Sequence, residues 1–384
     1  MSASRAPLSF RDAHTHLAAG ATDLNDLDLR FSSSPEEIAA AVVQAARTAA
    51  PGAWIRGWGW AGRQQPADAA PDHPVFLARR DGHAAWVNPK GRAALGLAPG
   101  EAVVSDVAFD AARQHLPERS TAFRLESLRP RLAELLERSI GAVDDMVEAW
   151  APEVYASLRD RGELPVSIGM WLPEATEESE AEALRRAFPA NDPRLAVRGI
   201  KIFLDGTLEA RTAALSAPYA DDPGNAGVLR VEEREIPERV GRWAARGWPV
   251  ALHAIGDRAV SLALGALERV KQPSFGRHRI EHAQVVGRRD LPRFARAGIV
   301  ASVQPGHWRD DRGWLAARLG ERAEVVAHPL ASLARSGAEL AFGSDWPVSD
   351  WDPAAILASA TDPERGDEAL AAAEAVAWYT AAPR

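Results

Sequence analysis

Two histidines near the start of the chain, His14 and His16, have the residue type and spacing to bind a metal ion. They lie in residues 10–16 (FRDAHTH), a run typical of a β-strand. Alternate side chains of a strand share one face, so both imidazoles point the same way, about 6.5 Å apart. Neutral imidazole is the commonest metal ligand among side chains. Two core histidines with hydrogen bonds could show the same spacing, so the choice depends on whether other segments supply further ligands.

Four later apolar runs each contain one residue that could join them. These residues are Lys201, His253, His282 and Asp345. Singly, each has an ordinary structural explanation: a buried ion pair for the lysine, hydrogen-bonded core positions for the histidines, and a turn cap for the aspartate. The lysine has a second possibility, since burial lowers the pKa of an ammonium group. The resulting neutral amine can combine with carbon dioxide to form a carbamate, an anion able to bridge two cations.

The segments that carry these residues predict an α/β fold. Eight apolar runs predict strands, at residues 10–16, 141–146, 165–171, 197–205, 249–255, 279–286, 298–304 and 340–345. Helical patterns separate most of the later runs, and this alternation favours a parallel sheet. Eight such units predict a (β/α)8 barrel, which builds its active site at the C-terminal ends of the strands. A doubly wound open sheet is the alternative, but the glycine-rich turn expected after its first strand is missing.

Residues 20–138 are predicted to be an α+β insertion between the first two barrel strands, within one domain spanning residues 1–384. A helix should begin at Ser34 and Pro35, because serine is a good N-cap and proline suits the first helical turn. Strands are predicted in residues 54–60 and 74–87, and an amphipathic helix in residues 125–138. Residues 92–117 show no periodic pattern and are predicted to be irregular.

Composition excludes several classes of function. The 384 residues have a net charge of −8 and no dense run of Lys or Arg, so nucleic acid is not an expected partner. The absence of cysteine excludes disulfides, thiolate ligands and a cysteine nucleophile, and fits a reducing cytosol. No apolar run reaches the roughly 18 residues of a membrane span, and the N-terminal residues lack the apolar core of a signal peptide. We therefore expect a cytoplasmic protein that does not bind membranes and acts on a small molecule.

Seven segments together resemble a known family. They are residues 12–16 (DAHTH), 81–88 (DGHAAWVN), 199–206 (GIKIFLDG), 211–214 (RTAA), 253–259 (HAIGDRA), 279–284 (RIEHAQ) and 342–348 (FGSDWPV). In this order they resemble the amidohydrolase superfamily, and most closely its amidohydrolase-3 branch, which includes N-substituted formamide deformylases. The matching segments span nearly the whole chain, so the resemblance is specific.

The resemblance implies a metal-dependent hydrolase with two divalent metals, for which zinc is the preferred identity. It implies that His14, His16 and Asp345 hold the first metal, and that His253 and His282 hold the second. Lys201, as a carbamate derived from carbon dioxide, would bridge the two. A hydroxide between the metals would attack the substrate, and Asp345 would take its proton and pass it to the leaving amine. His83 and Arg211 are implied to contact substrate, although a structural role for His83 is equally open.

The implied reaction is hydrolysis of a C–N bond in an amide, an N-formyl group or a related group of a small molecule. Hydrolytic deamination is one alternative, but it usually needs a separate proton-shuttling glutamate, for which the sequence offers no clear candidate. A non-catalytic metal-binding homologue is another alternative. The six intact ligand positions argue against it.

The chain also departs from the family pattern. Members usually carry a small β-sandwich formed before the first strand and after the eighth, whereas nine residues precede the first predicted strand here. We therefore expect the sandwich to be absent, the barrel flank beneath it to expose an apolar patch, and the protein to form a homodimer. Glu209 and Ala210 replace the Gly–Ser that usually precedes the Arg–Thr pair, which leaves substrate choice open.

Overall fold

A computed structural model describes residues 9–380 apart from residues 33, 61–64, 81, 99 and 101. The chain divides into two compact units, one comprising Met1–Ala18 with Arg129–Arg384 and the other Ala19–Leu128. The first unit opens with strand β1 (Phe10–Thr15) and with helix α1 (Leu17–Leu24), which continues into the second unit. The prediction that residues 1–384 form one domain stays a prediction.

The second unit contains a five-stranded mixed sheet with helices. Its elements are β2 (Leu27–Asp28), α2 (Pro35–Thr48), β3 (Ile55–Trp60), β4 (Val75–Arg79), β5 (Ala84–Val87), α3 (Pro89–Ala94), β6 (Val103–Ser105), α4 (Asp106–Gln114) and the N-terminal part of α5 (Thr121–Glu137), as far as Leu128. The strands follow the order β2-β3-β4-β5-β6, with the last two pairings antiparallel. Ser34 caps α2 as predicted, because its side chain accepts a hydrogen bond from the Glu37 backbone N–H at 3.2 Å.

The prediction that residues 92–117 are irregular is wrong, because this stretch contains β6 and α4. A strand of three residues is too short to show a period, and β6 is defined by its antiparallel pairing with β5. Helix α4 buries Phe109 and Ala112, which lie three residues apart and therefore on one helical face. These two positions alone give too weak a pattern to recognise from sequence.

The first unit contains the remaining elements. In chain order they are β7 (Ile140–Met146), α6 (Ala151–Asp160), β8 (Ser167–Pro173), α7 (Glu178–Ala187), β9 (Leu195–Phe203), α8 (Ile236–Ala244), β10 (Val250–Ala254), α9 (Asp257–Leu267), β11 (Arg279–His282), β12 (Val285–Gly287), α10 (Leu291–Ala297), β13 (Val300–Val303), α11 (Pro305–Asp311), α12 (Leu315–Leu319), β14 (Val325–Ala327), α13 (Leu330–Arg335), β15 (Leu340–Phe342), α14 (Pro353–Ala360) and α15 (Ala372–Thr380). Two 3₁₀ helices, Glu233–Glu235 and Pro363–Glu368, join them.

Eight strands of this unit form one parallel sheet in the order β1-β7-β8-β9-β10-β11-β13-β15. The chain after β15 returns to β1: the Asp345 N–H donates to the His14 carbonyl, and the His16 N–H donates to the Trp346 carbonyl, both at 2.7 Å. Gly343 permits this close approach, since a Cβ there would lie 2.6 Å from the His14 nitrogen. The predicted (β/α)8 barrel is confirmed, and each of its eight strands overlaps a predicted one.

One predicted strand is divided in the structure. Residues 279–286 form β11 and β12, which are separated because His282 and Ala283 adopt φ values of 73° and 43°. An extended strand cannot continue through left-handed backbone. In the part of the chain that the structure describes, every helix is too short or too polar to cross a membrane.

Candidate metal centre

The candidate metal centre lies at the C-terminal ends of the barrel strands, where barrel enzymes place their active sites. His14 comes from β1, His282 ends β11, and Asp345 follows β15. One ligand atom from each of these three buried residues lies within 4.8 Å of the others. Residues far apart in the sequence therefore converge as potential metal ligands.

The Asp345 carboxylate has a different environment at each oxygen. Its Oδ1 lies 3.4 Å from His14 Nε2 and 3.3 Å from His16 Nε2. Its Oδ2 lies 3.6 Å from His307 Nε2 and 4.0 Å from His282 Nδ1. Two ligands bound tetrahedrally to zinc at 2.0–2.1 Å would be about 3.3 Å apart. Each separation at Oδ1 therefore matches the distance between two ligands of one zinc ion.

His253 and Lys201 lie on the neighbouring strands β10 and β9. The rings of His253 and His282 have centroids 4.5 Å apart, and His253 Nε2 lies 3.2 Å from the Gly206 carbonyl oxygen and 3.6 Å from Asp205 Oδ1. Lys201 is 3% exposed, and its Nζ lies 4.8 Å from the centre of the Phe203 ring. The structure thus brings the five other predicted ligands into contact and places Lys201 among buried groups of the same barrel.

Burial controls the charge of these groups. It lowers the pKa values of His14 and His282 well below the ordinary value, so both imidazoles are neutral and can donate a lone pair to a metal. Burial also lowers the pKa of Lys201 to about 8, against the opposing attraction of Glu281 and Asp345. A lysine with this pKa has an accessible neutral amine, which carbamate formation requires.

Several buried polar atoms at the centre have no hydrogen-bond partner among the described residues. They are His14 Nε2, Lys201 Nζ, His307 Nε2 and Asp345 Oδ1. Each such atom ordinarily costs about 1–3 kcal/mol, so a cluster of them calls for an explanation. A divalent cation would satisfy His14 Nε2 and Asp345 Oδ1 together, and these donor atoms therefore fit a metal.

A network of buried charges holds His14 in place. His14 Nδ1 lies 2.5 Å from Glu281 Oε2, which directs the other ring nitrogen towards Asp345. Arg279 hydrogen-bonds to both oxygens of Glu281, and it donates to Asp144 Oδ2 at 3.0 Å and to the Ser302 hydroxyl at 2.9 Å. Such outer partners fix the tautomer and orientation of a metal-binding histidine.

His282 is held by a residue from the next barrel strand. Gln304, directly after β13, places its Oε1 2.8 Å from His282 Nδ1. The positive φ values of His282 (73°) and Asp345 (60°) are uncommon for residues with a side chain. Backbone strain of this kind concentrates at functional sites, and here it lies at two of the predicted ligands.

Sequence reasoning assigned no role to Arg279, Glu281, Gln304 and His307. The sequence did contain a signal for Arg279 and Glu281, because these two charged residues alternate within the apolar run that carries His282. For Gln304 and His307 the signal was weaker: the glutamine ends the seventh predicted strand and the histidine lies three residues beyond it, at the end of the barrel where active sites lie.

The two predicted substrate-contacting residues lie in different units. The Arg211 guanidinium makes a two-pronged contact with Asp221, at 3.0 and 2.7 Å, and Arg318 hydrogen-bonds to the same carboxylate. His83 lies between β4 and β5 in the second unit, where it is buried. Substrate contact by either residue stays a prediction.

A model of the amidohydrolase family matches residues 9–384. The chain is 28% identical to the putative amidohydrolase YtcJ of Bacillus subtilis, over 97% of this chain and 78% of that protein. It is 25% identical to the N-substituted formamide deformylase of Arthrobacter pascens, with the same coverage of 97% and 78%. A crystal structure of an uncharacterized metal-dependent hydrolase from Pyrococcus horikoshii OT3 superposes with a TM-score of 0.79 at 29% identity, covering 97% of this chain and 79% of that one.

We expect Glu281→Gln to lower the free energy of unfolding by about 3 kcal/mol, because it removes the charge that compensates buried Arg279. Urea denaturation monitored by circular dichroism measures this change. Glu324→Gln is the matched control: Glu324 is exposed, and its substitution should change stability by less than about 0.5 kcal/mol. Equal stability of the two variants would contradict a supporting role for Glu281.

Proposed function

Because this chain belongs to the amidohydrolase family, we propose that it is a metal-dependent hydrolase that cleaves a C–N bond of a small molecule. The bond lies in an amide, an N-formyl group or a related group. The observation that carries the proposal is the cluster of buried polar atoms around Asp345, since Oδ1 of that residue and Nε2 of His14 have no hydrogen-bond partner among the described residues.

The proposed centre holds two divalent metals, preferably zinc. An all-nitrogen and oxygen ligand set suits zinc. His14, His16 and Asp345 would hold the first metal, and the separations of 3.3 and 3.4 Å around Asp345 Oδ1 support this set. His253 and His282 would hold the second, and the short distance between their rings supports this pairing.

Lys201, as a carbamate, would be the ligand that both metals share. An ammonium group beside two cations would be strongly repelled in a buried site, and a neutral amine could bind only one of them. A carbamate provides a negative charge and two oxygen ligands. Three features support this modification: the burial of Lys201, its lowered pKa, and the lack of a hydrogen-bond partner for Nζ among the described residues.

When bound, the divalent metals supply a water of lowered pKa and polarise the scissile carbonyl. Asp345 acts as the general base and acid: it accepts the proton that the attacking water gives up, then delivers it to the leaving nitrogen. Glu281 and Gln304 keep His14 and His282 in the orientation that binding requires. An amine is a poor leaving group until it is protonated, so a buried proton carrier beside the carbonyl suits C–N cleavage.

The choice of a C–N bond also draws on the relatives. One is named an N-substituted formamide deformylase and another a putative amidohydrolase. The catalytic residues proposed here, Asp345 and Lys201, lie in the barrel unit, while His83 and Arg211 are proposed to contact the substrate. Cytoplasmic location and a homodimer stay predictions from the sequence.

We expect Lys201→Ala to reduce bound zinc from about two ions per chain to at most about one, because the bridging ligand is lost. Elemental analysis of protein reconstituted with zinc and bicarbonate measures the content. Propionate added to this variant should restore part of the metal, whereas Lys201→Arg should not recover it, since a guanidinium cannot be carbamylated.

Lys271→Ala is the control for the Lys201 variants, because Lys271 is exposed, and it should keep the full zinc content. A Lys201→Ala variant that is folded and also retains two zinc ions would refute the bridge. Wild-type protein that stays metal-free under the same conditions would refute the metal centre as a whole.

The reaction is tested by incubating the zinc-loaded protein with a panel of N-formyl and N-acyl amines and measuring the released amine and acid. We expect equimolar release, lost in Asp345→Asn because the amide cannot carry the proton. Treatment with a chelator should abolish turnover, and added zinc should restore it. If the panel is inert while amine-bearing substrates release ammonia, the protein is a deaminase and the proposal is wrong.

A further inference from the structure

His307 is a buried histidine at the candidate metal centre to which the family resemblance assigns no role. It lies on α11, and its ring is nearly parallel to that of His282, with centroids 6.0 Å apart and an interplanar angle of 10°. Its side chain is 9% exposed. Its Nε2 has no hydrogen-bond partner within the described part of the chain. A nitrogen buried in this way is available to a ligand.

The gap between His307 and Asp345 has the dimensions of a binding position. His307 Nε2 lies 3.6 Å from Asp345 Oδ2, which is beyond hydrogen-bond distance. A third atom about 2.9 Å from each could hydrogen-bond to both. The other carboxylate oxygen, Oδ1, faces His14 and His16, so Oδ2 is the one left to face a substrate.

Helix α11 is fixed at both ends, which keeps His307 in position. At its start, Arg365 Nη2 donates to the Pro305 carbonyl at 2.9 Å. At its end, Asp311 Oδ2 accepts from Gln284 Nε2 at 2.7 Å and lies 3.1 Å from His328 Nε2. A group held by the scaffold in this way can orient a substrate without first being ordered.

We propose that His307 and Asp345 together receive the leaving nitrogen of a secondary amide, with His307 Nε2 accepting the N–H of that nitrogen. The inference rests on the proposed function and deepens it by naming the substrate class. A neutral imidazole with its hydrogen on Nδ1 accepts at Nε2. In this arrangement the nitrogen donates its own hydrogen to His307 and turns its lone pair towards Asp345 Oδ2.

The reaction balances as a hydrolysis. Oxygen from water forms a bond to the carbonyl carbon, and the bond from that carbon to nitrogen breaks. The proton that the water gives up travels through Asp345 Oδ2 to the nitrogen lone pair, and the products are a carboxylic acid and a primary amine. A tertiary amide carries a carbon substituent in place of the N–H, so it leaves Nε2 without a partner and crowds it.

The test compares matched secondary and tertiary amides on zinc-loaded protein. The probes are formanilide with N-methylformanilide, and N-butylformamide with N-butyl-N-methylformamide. Wild type should favour the secondary member of a pair by about 100-fold or more in kcat/KM. His307→Leu should reduce that preference by about 10-fold or more, through slower turnover of the secondary amide.

Two further variants make the result specific. His307→Gln should recover part of the preference, because its side-chain oxygen can accept the same N–H. His115→Leu, at an exposed histidine of the second unit, should match wild type. Zinc content, measured by elemental analysis, should be unchanged in all three variants, since His307 is assigned to the substrate and not to the metal.

Three results would overturn the inference: loss of zinc in His307→Leu, equal slowing of both members of a pair, or no effect. The first would make His307 a metal ligand and the second a structural residue. In each of these cases the wild type still hydrolyses amides, so the proposed function stands. If the zinc-loaded wild type hydrolyses none of the four amides, the proposed function fails and this inference fails with it.

Discussion

The carboxylate of Asp345 is the group on which the arrangement of the centre depends. It is buried at the closing point of the barrel, where the chain after β15 meets β1. Backbone hydrogen bonds from Asp345 to His14 and from His16 to Trp346 set this junction, and the same residues supply the side chains around Oδ1. The backbone contact that closes the barrel therefore also brings together His14, His16 and Asp345. A shift of the backbone at this junction would displace their side chains.

The candidate metal centre contains many buried polar and charged groups. Some of them have hydrogen-bond partners and others do not. Glu281 and Arg279 neutralise each other, and Arg279 also contacts Asp144. These interactions satisfy the outer groups. The inner atoms, on His14, Lys201, His307 and Asp345, have no hydrogen-bond partner within the described residues. Outer groups with hydrogen-bond partners around inner atoms without them are typical of a site that binds a metal and a substrate.

The barrel and the predicted ligands could be derived from the sequence because they depend on local patterns. Each strand is an apolar run of the right length, and each predicted ligand interrupts such a run. The partners of those ligands could not be derived in the same way. Glu281 contacts His14 from 267 positions away in the chain, and His307 reaches Asp345 from a helix that follows a different strand. Strand β6 was missed because a three-residue strand is defined by its neighbour and not by its own sequence, and helix α4 was missed because its buried positions form too weak a pattern.

Anomalous diffraction at the zinc absorption edge, from crystals grown with zinc and bicarbonate, tests the central claim most directly. It locates each metal and shows the group attached to Lys201 Nζ in one experiment. The account predicts one zinc between His14, His16 and Asp345, a second at His253 and His282, and a carbamate on Lys201 between them. Zinc bound elsewhere in the barrel, or no zinc at these residues with an unmodified lysine, would contradict it.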